Sequence, residues 1–323
     1  MSVTRLNPTS GIEKVYNRLR FRGRYGLRRL VPALTPDQSE LVARLGRDGF
    51  VQLDGFIPAP EVALLQQEFD QALNNLEFEM PCLAQSKVDP VRHKKLLDNH
   101  MYATNEQLRE QGLAIDRKDA VSIDQVVRDF NPSTLTVYML ERSARYRKLW
   151  LDPRLLTIVS AYLGLVPHLA EAYVRRNYPS PFRTMNHYWH RDLNSRHYLV
   201  KIFFFLSDCT VESGPHEFVR GSHRNYEVLN GKRYFTDDEV NEAYPAGGPH
   251  RVVSEVKAGT VIIEDTRGLH RARMPDAGQR DLGYAVFVPF LPGREQSYYQ
   301  VPRSAGDSLS EFQKSFIPEV CLT

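Results

Sequence analysis

Cysteine is scarce in this chain: Cys82, Cys209 and Cys321 are the only three in 323 residues, and none stands in a C-x-x-C pair. That excludes a disulfide-built scaffold and a structural zinc knuckle, and it makes a reducing compartment, the cytoplasm, the expected setting. Long apolar runs are missing too. The greasiest stretch, Tyr198 to Leu206, is interrupted by Lys201 and falls well short of the roughly 18 residues a membrane span requires. There is no repeat of fixed period, no low-complexity tract, no hydrophobic signal-peptide region and no G-x-S-x-G nucleophile motif. Hydrophobic residues at 42% and charged residues at 25% match ordinary globular usage, so the chain is expected to be soluble and folded.

A strong overall charge is also lacking, and the little there is lies at one end. Of the net +3, residues 1–31 contribute +7, from eight Lys or Arg against one Glu, which leaves −4 for the remainder. Basicity is therefore a property of the tail, and no nucleic-acid partner is expected. Within it Ile12, Val15, Tyr16 and Leu19 fall at helical spacing with Lys14, Arg18, Arg20 and Arg22 between them. Three readings stand: an arm packed across its own domain, a peripheral contact with an anionic membrane or glycolipid, or an Arg-rich transit peptide with an organellar destination. Residues 1–34 are set apart as a basic N-terminal extension, and 35–323 are read as one domain.

After Pro32 the texture changes. Thr35-Pro36-Asp37-Gln38 combines an N-cap, a Pro at the first helical position and a Gln at the third, so a helix starts here and should end near Gly46 to Gly49. GFVQLDGFI then predicts a strand from Phe50 to Leu53, and Pro60 opens a second helix with Val62, Leu65, Phe69 and Leu73 on one stripe. Residues 84–134 are polar and weakly periodic, with a helix ending at Phe130, and are read as a cover outside any sheet. From Tyr173 onward come short apolar runs between turns: Tyr198 to Leu206, Glu217 to Val219, Arg251 to Val256, Thr260 to Ile263 and Leu282 to Phe290. Such spacing points to a mainly β jelly roll with an N-terminal helical layer rather than a parallel α/β sheet. The insert 227–250 holds a helix-start box at Thr236 to Glu239 and a break at Pro245 to Pro249; its length suggests a lid.

The stretch HYWHRDLNSRH, residues 187 to 197, carries His190-Arg191-Asp192. A kinase catalytic loop would need Asn at 197, where His stands, together with a Gly-rich loop, a strand Lys in a VAIK-like setting and a downstream DFG, none of which occurs. A metal site makes another demand. Residues i and i+2 of an extended segment face the same side, so His190 and Asp192 could reach one ion while Arg191 faces away. Two His and one carboxylate with open positions is the arrangement of non-haem Fe(II) oxygenases. His270, 78 residues after Asp192, opens the segment that follows the strand Thr260 to Ile263 and the turn Asp265 to Gly268, and Arg280 precedes the last apolar strand.

His190-x-Asp192, the segment SGPHEFVRGSHR from Ser213 to Arg224, Gly259-Thr260 to His270, and Arg280 together resemble the phytanoyl-CoA dioxygenase family of Fe(II)- and 2-oxoglutarate-dependent oxygenases, over about residues 45 to 290. The resemblance implies a double-stranded β-helix in which His190, Asp192 and His270 hold Fe(II) and Arg280 binds the distal carboxylate of 2-oxoglutarate, with O2 as co-substrate. Where many relatives have a Ser two residues beyond the distal His, this chain has Ala272. Lys201 is a candidate substitute for that contact, unless it snorkels from an edge strand. His187 and His197 are kept out of the metal set, His223 is read as organising its loop, Cys209 as a core residue, and Arg271 and Arg273 as facing solvent or substrate. The implied reaction is hydroxylation of a C–H bond in a small metabolite, sugar or lipid-linked substrate, since halogenating relatives have a small residue in place of Asp192. Desaturation, cyclisation and epimerisation would use the same site. A non-enzymatic metal-binding β-barrel module is the alternative of another class, and oligomeric state is not legible.

Overall fold

The computed structural model describes residues 18–74, 133–180, 185–192, 199–229, 232, 234–289 and 299–323, with three short paired strands at 78–79, 103–104 and 120–121. In chain order its elements are α1 (Arg22–Gly26), α2 (Pro36–Asp48), β1 (Phe50–Leu53), α3 (Ala59–Asn74), β2 (Phe78–Glu79), β3 (Ala103–Thr104), β4 (Ala120–Val121) and β5 (Thr134–Val137). Then follow α4 (Ala144–Trp150), α5 (Pro153–Leu163), β6 (His168–Asn177), β7 (Trp189–His190), β8 (Val200–Phe205), β9 (His216–Val219) and β10 (Tyr234–Phe235). The chain closes with α6 (Asp237–Ala243), β11 (Arg251–Ser254), β12 (Val261–Glu264), β13 (His270–Ala272), β14 (Arg280–Val288) and α7 (Glu311–Lys314).

Two antiparallel sheets form the jelly roll. The larger has the order β1-β12-β8-β14-β6-β5 and the smaller β10-β7-β13-β9-β11. Alternation along the strands separates a polar interior from an apolar back. On β8, Phe204 turns outward onto Trp150 of α4, ring centroids 4.7 Å apart, and the Trp150 indole donates to the Tyr284 carbonyl at 3.0 Å. Gly283 faces the same ring, where an added Cβ would meet Trp150 at 2.7 Å. The opposite faces of β8 and β14, with Phe203 directly beside Tyr284, look into the barrel.

Helix α2 begins and ends where the caps dictate: Thr35 and Gln38 form the reciprocal box, and Gly49 takes φ +76 at the C-terminus. The stripe Val62, Leu65, Phe69 and Leu73 of α3 is fully buried. All five expected apolar strands exist within a few residues of their expected bounds, and Thr236 and Glu239 form the capping box of α6 in the insert. The sequence reading did not assign α4, α5, β5 and β6. Their signals were present: Ser143 and Asp152 cap α4 and α5, Pro153 starts α5, and Gly164 ends it at φ +69. The cover expected over 84–134 and the helix ending at Phe130 lie almost wholly outside the described residues, as do the predicted amphipathic positions before Arg18.

The C-terminal part of the basic segment packs on the domain. Phe21 is buried, and Arg24 donates to the carbonyls of Val166 and Pro167, both at 2.6 Å, and of Ser315 at 2.7 Å. None of the described helices is long and apolar enough to cross a membrane. Beside Arg24, burial and then the guanidinium pull the pKa of His168 from 6.5 down to about 4, and its Nδ1 has no hydrogen-bond partner. Above pH 6.5 the ring is neutral in both states and contributes nothing adverse. Below it the unfolded chain takes up a proton that the folded chain refuses, so stability should fall from pH 6.5 through about 4, by up to about 3 kcal/mol. Urea midpoints measured against pH should show a flatter acid limb for His168→Gln; an unchanged limb would rule this group out as its source.

Candidate metal centre

His190, Asp192 and His270 come together although two different strands and a loop supply them. His190 on β7 stands directly opposite His270 on β13, with ring centroids 4.1 Å apart. Asp192 follows β7, and its N–H donates to the Thr266 carbonyl at 2.9 Å, which ties the ligand loop to the turn after β12. One atom from each of the three lies within 4.8 Å of the others. All three residues are buried, with exposures of 5%, 8% and 4%. Arg191 turns away, as alternation requires, and donates to the carbonyls of Ser222 at 2.6 Å and Arg267 at 2.9 Å.

The tautomers follow from the partners. His190 Nδ1 lies 2.8 Å from the Tyr188 carbonyl and His270 Nδ1 lies 3.0 Å from that of Gly268. A carbonyl can only accept, so each Nδ1 carries the proton and each Nε2 presents a lone pair. Those Nε2 atoms face Asp192, 4.0 Å from Oδ1 for His190 and 3.6 Å from Oδ2 for His270. Burial, then the neighbouring His190, keeps the His270 pKa well below its usual value, so it stays neutral. Burial alone would raise the Asp192 carboxyl, but the Lys201 ammonium beside it holds it below the usual carboxylate range. Two neutral imidazoles and an ionised carboxylate are a donor set that fits Fe(II).

Lys201 does not snorkel. Its strand, β8, lies inside the larger sheet between β12 and β14, and Nζ sits inside the barrel, 2.5 Å from Asp192 Oδ2 and 5.1 Å from the Tyr284 ring centroid. Arg280 is 1% exposed, and among the described residues Nε and Nη1 have no hydrogen-bond partner while Nη2 reaches Asn177 Oδ1 at 3.4 Å. Burial pulls its pKa down, and among the described residues no carboxylate pairs with it. A buried guanidinium left short of an anion fits the distal carboxylate of 2-oxoglutarate. Between the two ends stand aromatic walls, with Tyr173 stacked on Tyr284 at 4.6 Å and Phe203 5.7 Å from Tyr284.

Several partners were not legible in the sequence. His216 Nε2 lies 2.7 Å from Glu264 Oε2, both deeply buried, and the His216 ring is 5.8 Å from that of His270. Tyr234, from the insert, pairs across from His190. On the outer face, Arg251 and Arg271 both lie over Trp189, their guanidinium carbons 4.5 and 4.8 Å from its ring centroid. Glu217 accepts from both, at 2.9 and 3.0 Å, and pairs with Arg273 at 3.6 Å; Asp237 of α6 also pairs with Arg271. Of the two expectations for Arg271 and Arg273, solvent or substrate, the structure favours the solvent side: both belong to this outer cluster, and the Arg273 side chain is 36% exposed. The His223 imidazole meets the Gly46 carbonyl at 3.3 Å, a loop-organising contact, and Cys209 is a buried thiol. His187 occupies a 3-10 turn ahead of β7, outside the cluster, and His197 lies outside the described residues.

A jelly roll that gathers two imidazoles and a carboxylate on its smaller sheet, facing a buried arginine on the larger, defines a non-haem iron oxygenase dependent on 2-oxoglutarate. The family model for phytanoyl-CoA dioxygenase (PhyH) matches residues 45–274, and the chain belongs to that family. No curated protein matches the sequence significantly. Among solved structures, the non-haem α-ketoglutarate-dependent epimerase SnoN from nogalamycin biosynthesis is 19% identical at a TM-score of 0.52, covering 85% of this chain and 93% of that one. EctD from S. alaskensis in its apo form is 20% identical at a TM-score of 0.50, covering 79% of each. At these identities the likeness shows the shared fold.

Proposed function

We propose that His190, Asp192 and His270 hold Fe(II), that Arg280 receives the distal carboxylate of 2-oxoglutarate, and that the enzyme hydroxylates a C–H bond of a small metabolite, sugar or lipid-linked substrate. The buried His/Asp/His cluster, with its lone pairs converging, carries the reading. When bound, iron and 2-oxoglutarate supply the oxidising power from O2, and the co-substrate leaves as succinate and CO2. The chain's own residues hold and exclude. Backbone carbonyls keep both imidazoles in one tautomer, Arg280 fixes the far end of the co-substrate, and Phe203, Tyr173 and Tyr284 shield the path between from water. Lys201 stands six residues along the β14 ladder from Arg280, opposite Val286, so any contact it makes with the co-substrate is at the keto-acid end beside Asp192.

The small-molecule substrate class is supported by SnoN, which was solved with nogalamycin RO. Retention of a carboxylate at 192 supports hydroxylation over halogenation. The insert 227–250, whose Tyr234 adjoins His190, is the proposed lid, within a catalytic domain 35–323. Peripheral contact of the exposed Arg18, Arg22, Arg28 and Arg29 with an anionic membrane is a separate proposal, carried by charge, and salt-sensitive sedimentation with phosphatidylserine vesicles tests it. For the reaction itself, purified protein given Fe(II), O2 and 2-oxoglutarate should release succinate, faster when a metabolite library contains the substrate. Absence of both turnover and a visible Fe(II)·2-oxoglutarate charge-transfer band would sink the oxygenase reading and favour the metal-binding module.

A further inference from the structure

We infer that Lys201 is a positioning residue that keeps Asp192 to a single metal-binding oxygen. The inference rests on the metal reading above and adds a role that the ligand set does not contain. The ammonium lies 2.5 Å from Asp192 Oδ2, in a site where the Lys201 side chain is only 12% exposed. Among the described residues the other carboxylate across the ladder, Glu264, stands directly opposite on β12 but is engaged by His216 at 2.7 Å. Lys201 is thus left to Asp192, with the Tyr284 ring beneath it.

Two cations do not share one carboxylate oxygen without strong repulsion at this separation. With Oδ2 paired to the ammonium by charge and lying 3.6 Å from His270 Nε2, the ion between the two imidazoles takes Oδ1, which faces His190 Nε2 at 4.0 Å. On an ion with roughly six positions, two imidazoles and one oxygen leave about three open, enough for a chelating keto acid and O2. Without Lys201, the buried Oδ2 has lost its partner and turns to the metal, and one of those positions is consumed.

Mn(II) bound in place of iron, without co-substrate, allows the waters on the ion to be counted by 17O hyperfine spectroscopy. Wild type should carry about three, and Lys201→Met one fewer, with Mn(II) held about tenfold more tightly because a nearby cation is gone. Lys201→Arg, which restores the charge and the donor, should restore the wild-type count. An unchanged count in Lys201→Met overturns the inference. So does a wild-type protein already one water short, a measurement that needs no variant to fold. Failure of wild type to bind Mn(II) at all would instead overturn the metal reading, and this inference with it.

Discussion

His270→Ala should abolish 2-oxoglutarate turnover, with succinate release falling at least about 1,000-fold and Fe(II) affinity falling more than the roughly 10- to 100-fold that loss of an outer-shell partner costs. Among the described residues His270 supplies one of two Nε2 lone pairs facing Asp192, and its Nδ1 is committed to Gly268. Among the described residues the nearest other imidazole, His216, is already turned to Glu264. The control is His223→Gln. That imidazole is also buried, but its Nε2 meets the Gly46 carbonyl and its ring packs beneath Gly49, where an added Cβ would come within 2.5 Å of it. It should cost stability and leave Fe(II) affinity within about threefold of wild type, measured by competition titration. Retention of tight Fe(II) binding by His270→Ala would remove it from the ligand set.

Arg280→Leu separates co-substrate binding from fold by changes of opposite sign. Truncating one partner of a buried charged pair costs about 2–5 kcal/mol, so the concentration of 2-oxoglutarate required should rise from about 30-fold to more than 1,000-fold. Fe(II) binding should stay near wild type, since Arg280 lies at the start of β14, away from the triad. Without co-substrate the same variant should melt at or above the wild-type temperature. The wild-type guanidinium is buried with Nε and Nη1 unsatisfied, and replacing an uncompensated charge by an apolar group of similar size is neutral or stabilising. Wild type should gain thermal stability from added 2-oxoglutarate, and the variant should gain none. A variant that melts lower and still binds 2-oxoglutarate normally would make Arg280 a structural residue.

The two halves of the fold differed in legibility for a physical reason. Strands β8, β12 and β14 were readable because they are central and buried on both faces, so their apolar runs are continuous. Helices α2 and α3 were readable from caps and a stripe. Strands β7, β10 and β13 run to only two or three residues, too short for alternation to register, yet they carry His190, its neighbour Tyr234, and His270. The proposed ligands emerged from residue type and order, not from the strands that hold them. For Arg271 and Arg273 the sequence left solvent and substrate open, because proximity to His270 says nothing of face; alternation sent Arg271 to the outer side of the sheet, onto Glu217.

Residue type and order, read with the family resemblance, named the proposed metal donors and the proposed co-substrate arginine, and strand spacing pointed to the jelly-roll class, because a donor set must be spelled out in the chain whatever its fold. Which charges neutralise one another was decided only by the tertiary structure. Lys201 meets Asp192 across a loop, His216 meets Glu264 between sheets, and Arg280 meets no carboxylate among the described residues. Such pairings depend on register between strands far apart in sequence, where a shift of one residue would turn each of these side chains to the other face.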